Sequence, residues 1–255
     1  MKLVVLNVWA GKIHDPLLDF LRRHAGDTDI FCFQELFFGT ESDPSVRGAH
    51  EDIHDEISVV LSDFTSYRRL APEGTYFESE PLRAGLRVGQ AIFVRNGAEV
   101  VADGGFFAYT PAGEIARNPS LTMTGNFQYV KLGLDGGETL IGNLHGLWQK
   151  EGKGDTPARL EQARMIREAL DDESGRKILC GDFNMLPGID SMRFSNDEMR
   201  DLVTEYGVKS TRSGLYQKGI PFSDYVFVTP DVDVKRFEVL SDEVSDHLPL
   251  VLEFV

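Results

Sequence analysis

Cysteine is scarce: of 255 residues two are cysteines, Cys32 and Cys180, each inside an apolar run, IFCF and ILCG. Two thiols cannot build a disulfide framework. Neither has a partner at ligand spacing, which argues against a cysteine-based zinc centre. Both are expected to be buried and reduced. Basic charge is also short. Lysine and arginine number 26 against 41 aspartates and glutamates, a formal net charge of −15. A chain this acidic is unsuited to coating a nucleic-acid backbone, where Lys and Arg must displace counterions. An enzyme that cuts a phosphoester escapes that exclusion, because a divalent ion supplies positive charge locally. No stretch approaches ~18 consecutive apolar residues, so no transmembrane segment is expected. The start, MKLVVLNVWAGK, lacks both an h-region and a small-residue cleavage site, which points to a cytoplasmic chain. No G-x-S-x-G or similar context supports a serine or cysteine nucleophile. Low-complexity linkers, short repeats and any sign of an obligate protein partner are missing too. One domain over residues 1–255 is expected.

What is present is apolar and aromatic. Hydrophobic residues make up 42% of the chain, with 17 phenylalanines, enough for a large core. Short runs rich in β-branched and aromatic residues, bounded by turn residues, predict strands at 2–8, 29–34, 90–95, 127–134, 138–145, 177–182, 224–228 and 248–254. Helices are predicted at 15–25, 50–63, 157–171 and 195–205. In the third, Pro157 follows Asp155 and Thr156 as a capped start requires, and Leu160, Ala163, Ile166 and Leu170 recur at helical spacing. Loops are left at 36–50, 68–90, 103–120 and 206–222. Strands alternating with helices point to one large α/β domain with helices outside packed sheets.

The informative pattern lies where strands stop. LVVLN ends on Asn7, IFCFQE on Glu35, LIGNLH on His145, and ILCGDFN on Asp182 and Asn184. SDYVFV begins at Asp224, and SDHLPLVLEF begins after Asp246 and His247. Burying such groups without partners costs several kcal/mol, so six strands ending this way should converge on a shared polar site. Hard carboxylate and amide oxygens suit Mg²⁺, which bridges readily to substrate phosphate. A phosphoester needs a cation for its oxygens, a group that positions or deprotonates water, and a stabiliser for the leaving oxygen. The set fits metal-assisted hydrolysis.

NVWAG, FQE, NLHG, GDFN, SDY and SDH, in that order along nearly the whole chain, resemble the motif series of the endonuclease/exonuclease/phosphatase superfamily. GDFN and SDH are its most specific pieces. The resemblance implies a four-layer α/β/β/α sandwich, deoxyribonuclease I-like, with two mixed β-sheets face to face, helices outside and a site at one edge. It implies a divalent-metal-dependent phosphoester hydrolase working with Mg²⁺, for which Mn²⁺ can substitute. The substrate would be a small-molecule or lipid-derived phosphoester or a nucleic-acid end, with a nuclease or DNA-end-processing phosphodiesterase as the alternative. Carried over to this chain, Glu35 resembles the principal metal ligand, with Asn7 and Asp246 beside the metal and its waters. Asp182 would orient or deprotonate the attacking water and Asn184 would hold it or a phosphate oxygen. His247 would contact the scissile phosphate, with Asp224 fixing its ring and favouring imidazolium, and His145 would lie near the phosphate or leaving group. Either Asp182 or the Asp224–His247 pair could be the base. Some relatives place an Asp two positions after the first Asn; here that position is Trp9, which argues against a second metal beside Asn7.

Other signals compete. His50-Glu51-Asp52-Ile53-His54 matches H-E-x-x-H, the zinc-protease motif, and a zinc metalloprotease is the reading from a different class. Against it, HEDIHDE reads equally as the polar start of an amphipathic helix with Ile53, Ile57, Val60, Leu61 and Phe64 as its buried stripe. GKGDT at 152–156 lacks P-loop spacing and reads as a loop leading into a helix. Arg159 and Gln162 read as a solvated helix face. Arg117, Asn118 and Arg212 lie in predicted loops, and arginine suits bidentate phosphate recognition, so Arg117 and Arg212 are candidate substrate contacts. Trp148, three residues after His145, is a candidate cleft wall. Phe37 and Phe38 follow Glu35 and read as core.

Overall fold

The computed structural model describes residues 1–39, 48–72, 76–78, 80–108, 125–150, 152–194 and 199–255. The first half carries strands β1 (Lys2–Asn7), β2 (Ile30–Phe38), β3 (Phe64–Leu70), β4 (Tyr76–Phe77), β5 (Glu80–Pro81), β6 (Arg87–Arg95) and β7 (Val100–Phe107). The second carries β8 (Asn126–Leu134), β9 (Gly137–His145), β10 (Arg176–Asp182), β11 (Arg200–Asp201), β12 (Asp224–Val228), β13 (Val234–Val239) and β14 (Leu250–Phe254). The α-helices are α1 (His14–His24), α2 (Ile53–Val60), α3 (Pro157–Asp171) and the single turn α4 (Leu202–Glu205).

Two six-stranded sheets form, in the orders β13-β14-β1-β2-β6-β3 and β11-β12-β10-β9-β8-β7. Each is mixed in the same way: the central pair, β1 with β2 and β9 with β10, runs parallel, and the described neighbours outside it run antiparallel. Side chains alternate across a strand, so β1 serves two cores at once. Leu3 and Val5 face the second sheet and belong to the cluster that holds Ile141, Ile178, Cys180 and Val226. Val4 and Leu6 face outward and are covered by Leu17, Phe20 and Leu21 of α1 and Ile53 and Ile57 of α2. Ala163, Ile166 and Leu170 of α3 join the cluster of the second sheet. These layers are the expected sandwich. Each fully buried Leu, Ile or Phe contributes roughly 1.5–3 kcal/mol. Both cysteines are buried and free. Among the described residues no helix is long and apolar enough to cross a membrane.

Where the chain departs from expectation, edges and bulges are the cause. β3 (FTSYRRL), β7 (VVADGGFF) and β13 (VKRFEV) were not foreseen; the first and last alternate with charged residues, the second contains a Gly-Gly pair, and all three lie at or near sheet edges. β2 runs on past residue 34 through a register shift between Phe33 and Leu36. The predicted helix at 195–205 is reduced to α4, capped by Asp201, whose carboxylate accepts from the Val203 and Thr204 amides; residues 195–198 lie outside the described set. α2 starts at Ile53, not His50.

That start removes the H-E-x-x-H reading. His50 precedes the helix, so His50 and His54 do not share a helical face. His54 is buried, its Nδ1 on Asp55 and its Nε2 on Ser66 at 3.0 Å, packed between Phe38 and Phe93. Glu51 is buried against the Arg83 guanidinium. Phe37 packs edge-on to Phe77 in the core.

Candidate active site

Strand register assembles the site. Asp182 at the end of β10 is level with His145 at the end of β9 and with Asp224 at the start of β12. In the other sheet Asn7 ends β1 level with Gln34 of β2. Just below, the Gln34 amide donates to Asn143 Oδ1 at 2.6 Å, and the Asn143 amide reaches back to Phe33 O at 3.2 Å. This buried amide pair joins the two sheets directly beneath the polar edge. Gly181 makes the approach of β10 possible: its φ is +131°, and a Cβ there would lie 2.0 Å from Leu144 O.

The resulting cleft holds about 400 Å³ and is lined by Glu35, His145, Asp182, Asn184, Asp246 and His247, with Trp9, Phe77, Trp148 and Tyr216 as aromatic walls. Among the described residues five non-glycine positions have positive φ, and four of these, Trp9, Glu35, Glu78 and Asn184, line the cleft. Each such conformation costs on the order of 1–3 kcal/mol and persists where surrounding packing enforces it. The β2 bulge therefore turns Glu35 into the cleft at φ 56°.

Asp182 is the hub. Its Oδ2 accepts from Asn7 Nδ2 at 3.0 Å, and its Oδ1 accepts from the Asn184 amide at 3.0 Å and from Ser223 Oγ at 2.5 Å. His145 Nε2 stands 3.8 Å and His247 Nε2 3.6 Å from Oδ2. Burial opposes the Asp182 charge, yet His247, Arg212, His145 and Lys153 around it hold its carboxyl well below the usual carboxylate range. The group is ionised at neutral pH.

His247 places Nδ1 2.8 Å from both Asp224 oxygens, and the Arg212 guanidinium donates to its Nε2. That pattern requires a neutral ring with the proton on Nδ1. Burial, then the Arg212 charge, pulls its pKa to about 4. The expected imidazolium is thus absent here, and Arg212 carries the positive charge instead. Arg212 also donates to Asp246 Oδ2 at 2.9 Å and Ser223 Oγ at 3.0 Å and stacks on Tyr216. Burial likewise draws His145 to about 4.

Glu35 behaves oppositely. Burial, then repulsion from Asp246, raises its pKa to about 8, although the Asn7 amide stabilises the charge. Asp246 Oδ1 is buried without a hydrogen-bond partner. Four carboxylates (Glu35, Asp182, Asp224, Asp246) gather around two cations, Arg212 and Lys153, leaving two surplus negative charges when all are ionised. An orphaned oxygen, an over-raised glutamate and a surplus matching one divalent ion fit a hard cation held by Glu35 and Asp246. Asn7 ties carboxylates together and, through Oδ1, receives the Trp9 amide at 2.9 Å.

Of the candidate substrate contacts, Arg212 is central, Trp148 is a cleft wall below Lys218, and Arg117, with Asn118, lies outside the described residues. Arg159 and Gln162 are buried instead of solvated: Arg159 donates to the Gly152 and Gly154 carbonyls at 2.6 Å, and Gln162 accepts from the Leu147 amide at 2.9 Å, fixing the loop that carries Trp148. Sequence reasoning missed Lys153 and Ser223. Lys153 donates to Phe222 O and Ser223 Oγ, each at 2.9 Å, and burial, then the Arg212 charge, lowers it to about 8. Its signal was a lysine between glycines in the loop leaving the His145 strand; that of Ser223 was its place directly before Asp224.

Residues 4–247 match the family profile described as "Endonuclease/Exonuclease/phosphatase family", a span that contains the motif series from Asn7 to His247. No curated protein matches the chain in sequence. Among solved structures, a mannosyl-6-phosphatase from Bacteroides thetaiotaomicron is 20% identical with a TM-score of 0.69, over 100% of this chain and 99% of that one. The human Nocturnin catalytic domain with bound sulfate is 17% identical with a TM-score of 0.70, over 100% and 93%. A humanised D. rerio TDP2 is 13% identical with a TM-score of 0.66, over 100% and 98%. At these identities the likeness is one of fold.

Proposed function

From the premise that this chain belongs to the endonuclease/exonuclease/phosphatase family, we propose that it is a Mg²⁺-dependent phosphoester hydrolase acting as one catalytic unit over residues 1–255. The observation that carries the reading is Asp182, kept ionised at the meeting point of both sheets with two imidazoles, an amide and a guanidinium around it. Glu35 and Asp246 would hold the ion, with Asn7 beside it. When bound, Mg²⁺ would neutralise phosphate oxygens and stabilise the leaving oxygen. Asp182 orients the attacking water and accepts its proton. Arg212 and Asn184 bind the non-bridging oxygens, a geometry to which a planar guanidinium is matched. His247, held by Asp224, would donate Nε2–H to the phosphate once Arg212 turns from it to substrate and the ring takes up a proton. His145 lies on the Glu35 side, 3.6 Å from Oε1, near the leaving group.

Metal binding must displace the Glu35 proton. With a pKa of about 8, Glu35 is mostly protonated at pH 7, so Mg²⁺ binding there should release about 0.9 proton. Because this carboxyl is raised in the fold, its protonated form favours folding at low pH, and the metal-free protein loses that contribution as pH rises toward 8. Mg²⁺ should consequently raise Tm more at pH 8.5 than at pH 6. Calorimetry in buffers of different ionisation enthalpy, with melting curves at both pH values, checks this. A metal response independent of pH would remove Glu35 from the ligand set.

The substrate reading is a small phosphoester, or a phosphorylated end, over a long duplex. A concave cleft of about 400 Å³ with aromatic walls suits a compact organic phosphate. The net charge of −15 opposes extended duplex contact. One fold relative is named for a mannosyl-6-phosphatase activity, which fits the same size class. The test compares a hexose 6-phosphate, a 5′-phosphorylated oligonucleotide and a nicked duplex, with Mg²⁺, Mn²⁺ and EDTA, across a salt series. Metal-dependent turnover highest on the small ester, with a shallow salt slope, is expected. Preference for the duplex with steep salt dependence would reverse the substrate assignment and favour the nuclease.

A further inference from the structure

Outside the cleft, three ligand-type side chains meet where the starts of α1 and α2 come together. His14 opens α1, His50 lies three residues before α2, and Glu56 sits in the first turn of α2. The His14 and His50 rings are stacked, centroids 3.8 Å apart and 8° from parallel. His14 Nε2 is bonded to Glu56 Oε2, and His50 Nδ1 lies 4.0 Å from that same oxygen. Ligand atoms of all three lie within 4.8 Å of one another. None of the three lines the catalytic cleft.

We propose that His14, His50 and Glu56 form a second metal site, selective for a divalent transition ion of the zinc type. Two imidazole nitrogens converge on one carboxylate oxygen, and a divalent ion at that point would displace the protons between them and recruit both nitrogens as ligands. Two His and one carboxylate make a zinc donor set that leaves the fourth position to water, and all three residues are half-buried, so water reaches them. Imidazole nitrogen favours Zn²⁺, Co²⁺ and Ni²⁺ over Mg²⁺, in contrast to the oxygen-rich catalytic cluster. The far side of His14 supplies an independent support: its Nδ1 lies 2.9 Å from Asp15 Oδ1. With Nε2 on Glu56, both ring nitrogens of His14 face carboxylates; a metal would displace the Nε2 proton while Asp15 keeps the other on Nδ1.

The backbone around the site is fixed. The His50 amide donates to Ala10 O at 2.9 Å, anchoring it to the tight turn at Trp9–Gly11. Gly11, at φ +70°, admits Ile53 so closely that a Cβ there would lie 2.8 Å from it. Donor separations of up to 4.8 Å need to contract to about 3.3 Å around a tetrahedral ion, which side-chain rotation supplies. A bound ion would pin the turn carrying Trp9 to both helices.

The test is Co²⁺ and Zn²⁺ binding to the full chain under saturating Mg²⁺, which occupies the catalytic cluster. Wild type should take up one Co²⁺ with the visible absorption of a four-coordinate ion, and Zn²⁺ should raise its Tm. His50→Ala and Glu56→Gln, each checked for native circular dichroism, should weaken binding by about 100-fold or more and abolish the Zn²⁺-induced Tm shift. His50 is 37% exposed at its side chain, so its truncation leaves the core intact. Absence of Co²⁺ uptake in wild type, or uptake undiminished in both folded variants, would overturn the proposal.

Discussion

Asp182→Ala is expected to lower kcat/KM by about 10⁴-fold on whichever phosphoester the enzyme turns over, roughly 5.5 kcal/mol of transition-state stabilisation. The size follows from where the carboxylate sits. It lines the cleft, is held ionised, and is fixed in place by Asn7, Asn184 and Ser223, so its removal takes away a preorganised acceptor for the proton of the attacking water. Asp182→Asn keeps the shape and most hydrogen-bonding geometry but cannot take a proton, and should lose nearly as much. Asp224→Asn separates the two candidate bases. Asp224 would reach the phosphate only through the His247 ring it holds, so its replacement should cost less than Asp182→Asn. Steady-state kinetics on the three variants decide. A larger loss at Asp224 would move the base to the Asp224–His247 pair.

Arg212→Ala should reduce kcat by about 10²–10³-fold, the usual consequence of removing a preorganised donor to a developing anion. Charge alone does not explain the effect, because Arg212 reaches Asp246, His247 and Ser223 simultaneously from a fixed plane. Lysine cannot span those three partners, so Arg212→Lys should recover only part of the loss. The pH profile gives a second readout. The guanidinium helps depress His247, so its removal must raise that pKa from about 4 toward the ordinary imidazole range. The variant should show an additional ionisation between pH 4 and its new value that wild type lacks in the neutral range. An unchanged profile would mean that Arg212 and His247 do not interact in the working enzyme.

Much of this arrangement was legible because polar residues at the ends of apolar runs are expensive to bury separately. Asn7, Glu35, His145, Asp182, Asn184, Asp224, Asp246 and His247 are brought to one edge, and the two-sheet sandwich follows from the same strands. What escaped was long-range or edge-dependent. Lys153 and Ser223 act across 70 residues of chain, and no local pattern announces that pairing. Arg159 carries a charge that composition assigns to the surface, yet its fork of donors, set on the Gly152, Gly154 and Leu147 carbonyls, suits it to clamping a loop from inside. β3 and β13 look polar because one face of each is solvent-exposed. The imidazolium expected for His247 followed from pairing it with Asp224 alone; the Arg212 guanidinium on its Nε2, brought from 35 positions away, is a contact that no local pattern announces.

The position of β14 between β13 and β1 has a consequence for how the molecule comes into being. During synthesis β1 emerges early and finds β2 as a neighbour, but its other edge stays open until residues 250–254 arrive more than 240 positions later. Asp246 and His247 are carried in on the approach to that same strand. Pairings of such separation form late and slowly. The nascent chain therefore accumulates no partial activity as it lengthens: sheet closure and completion of the cleft are one event.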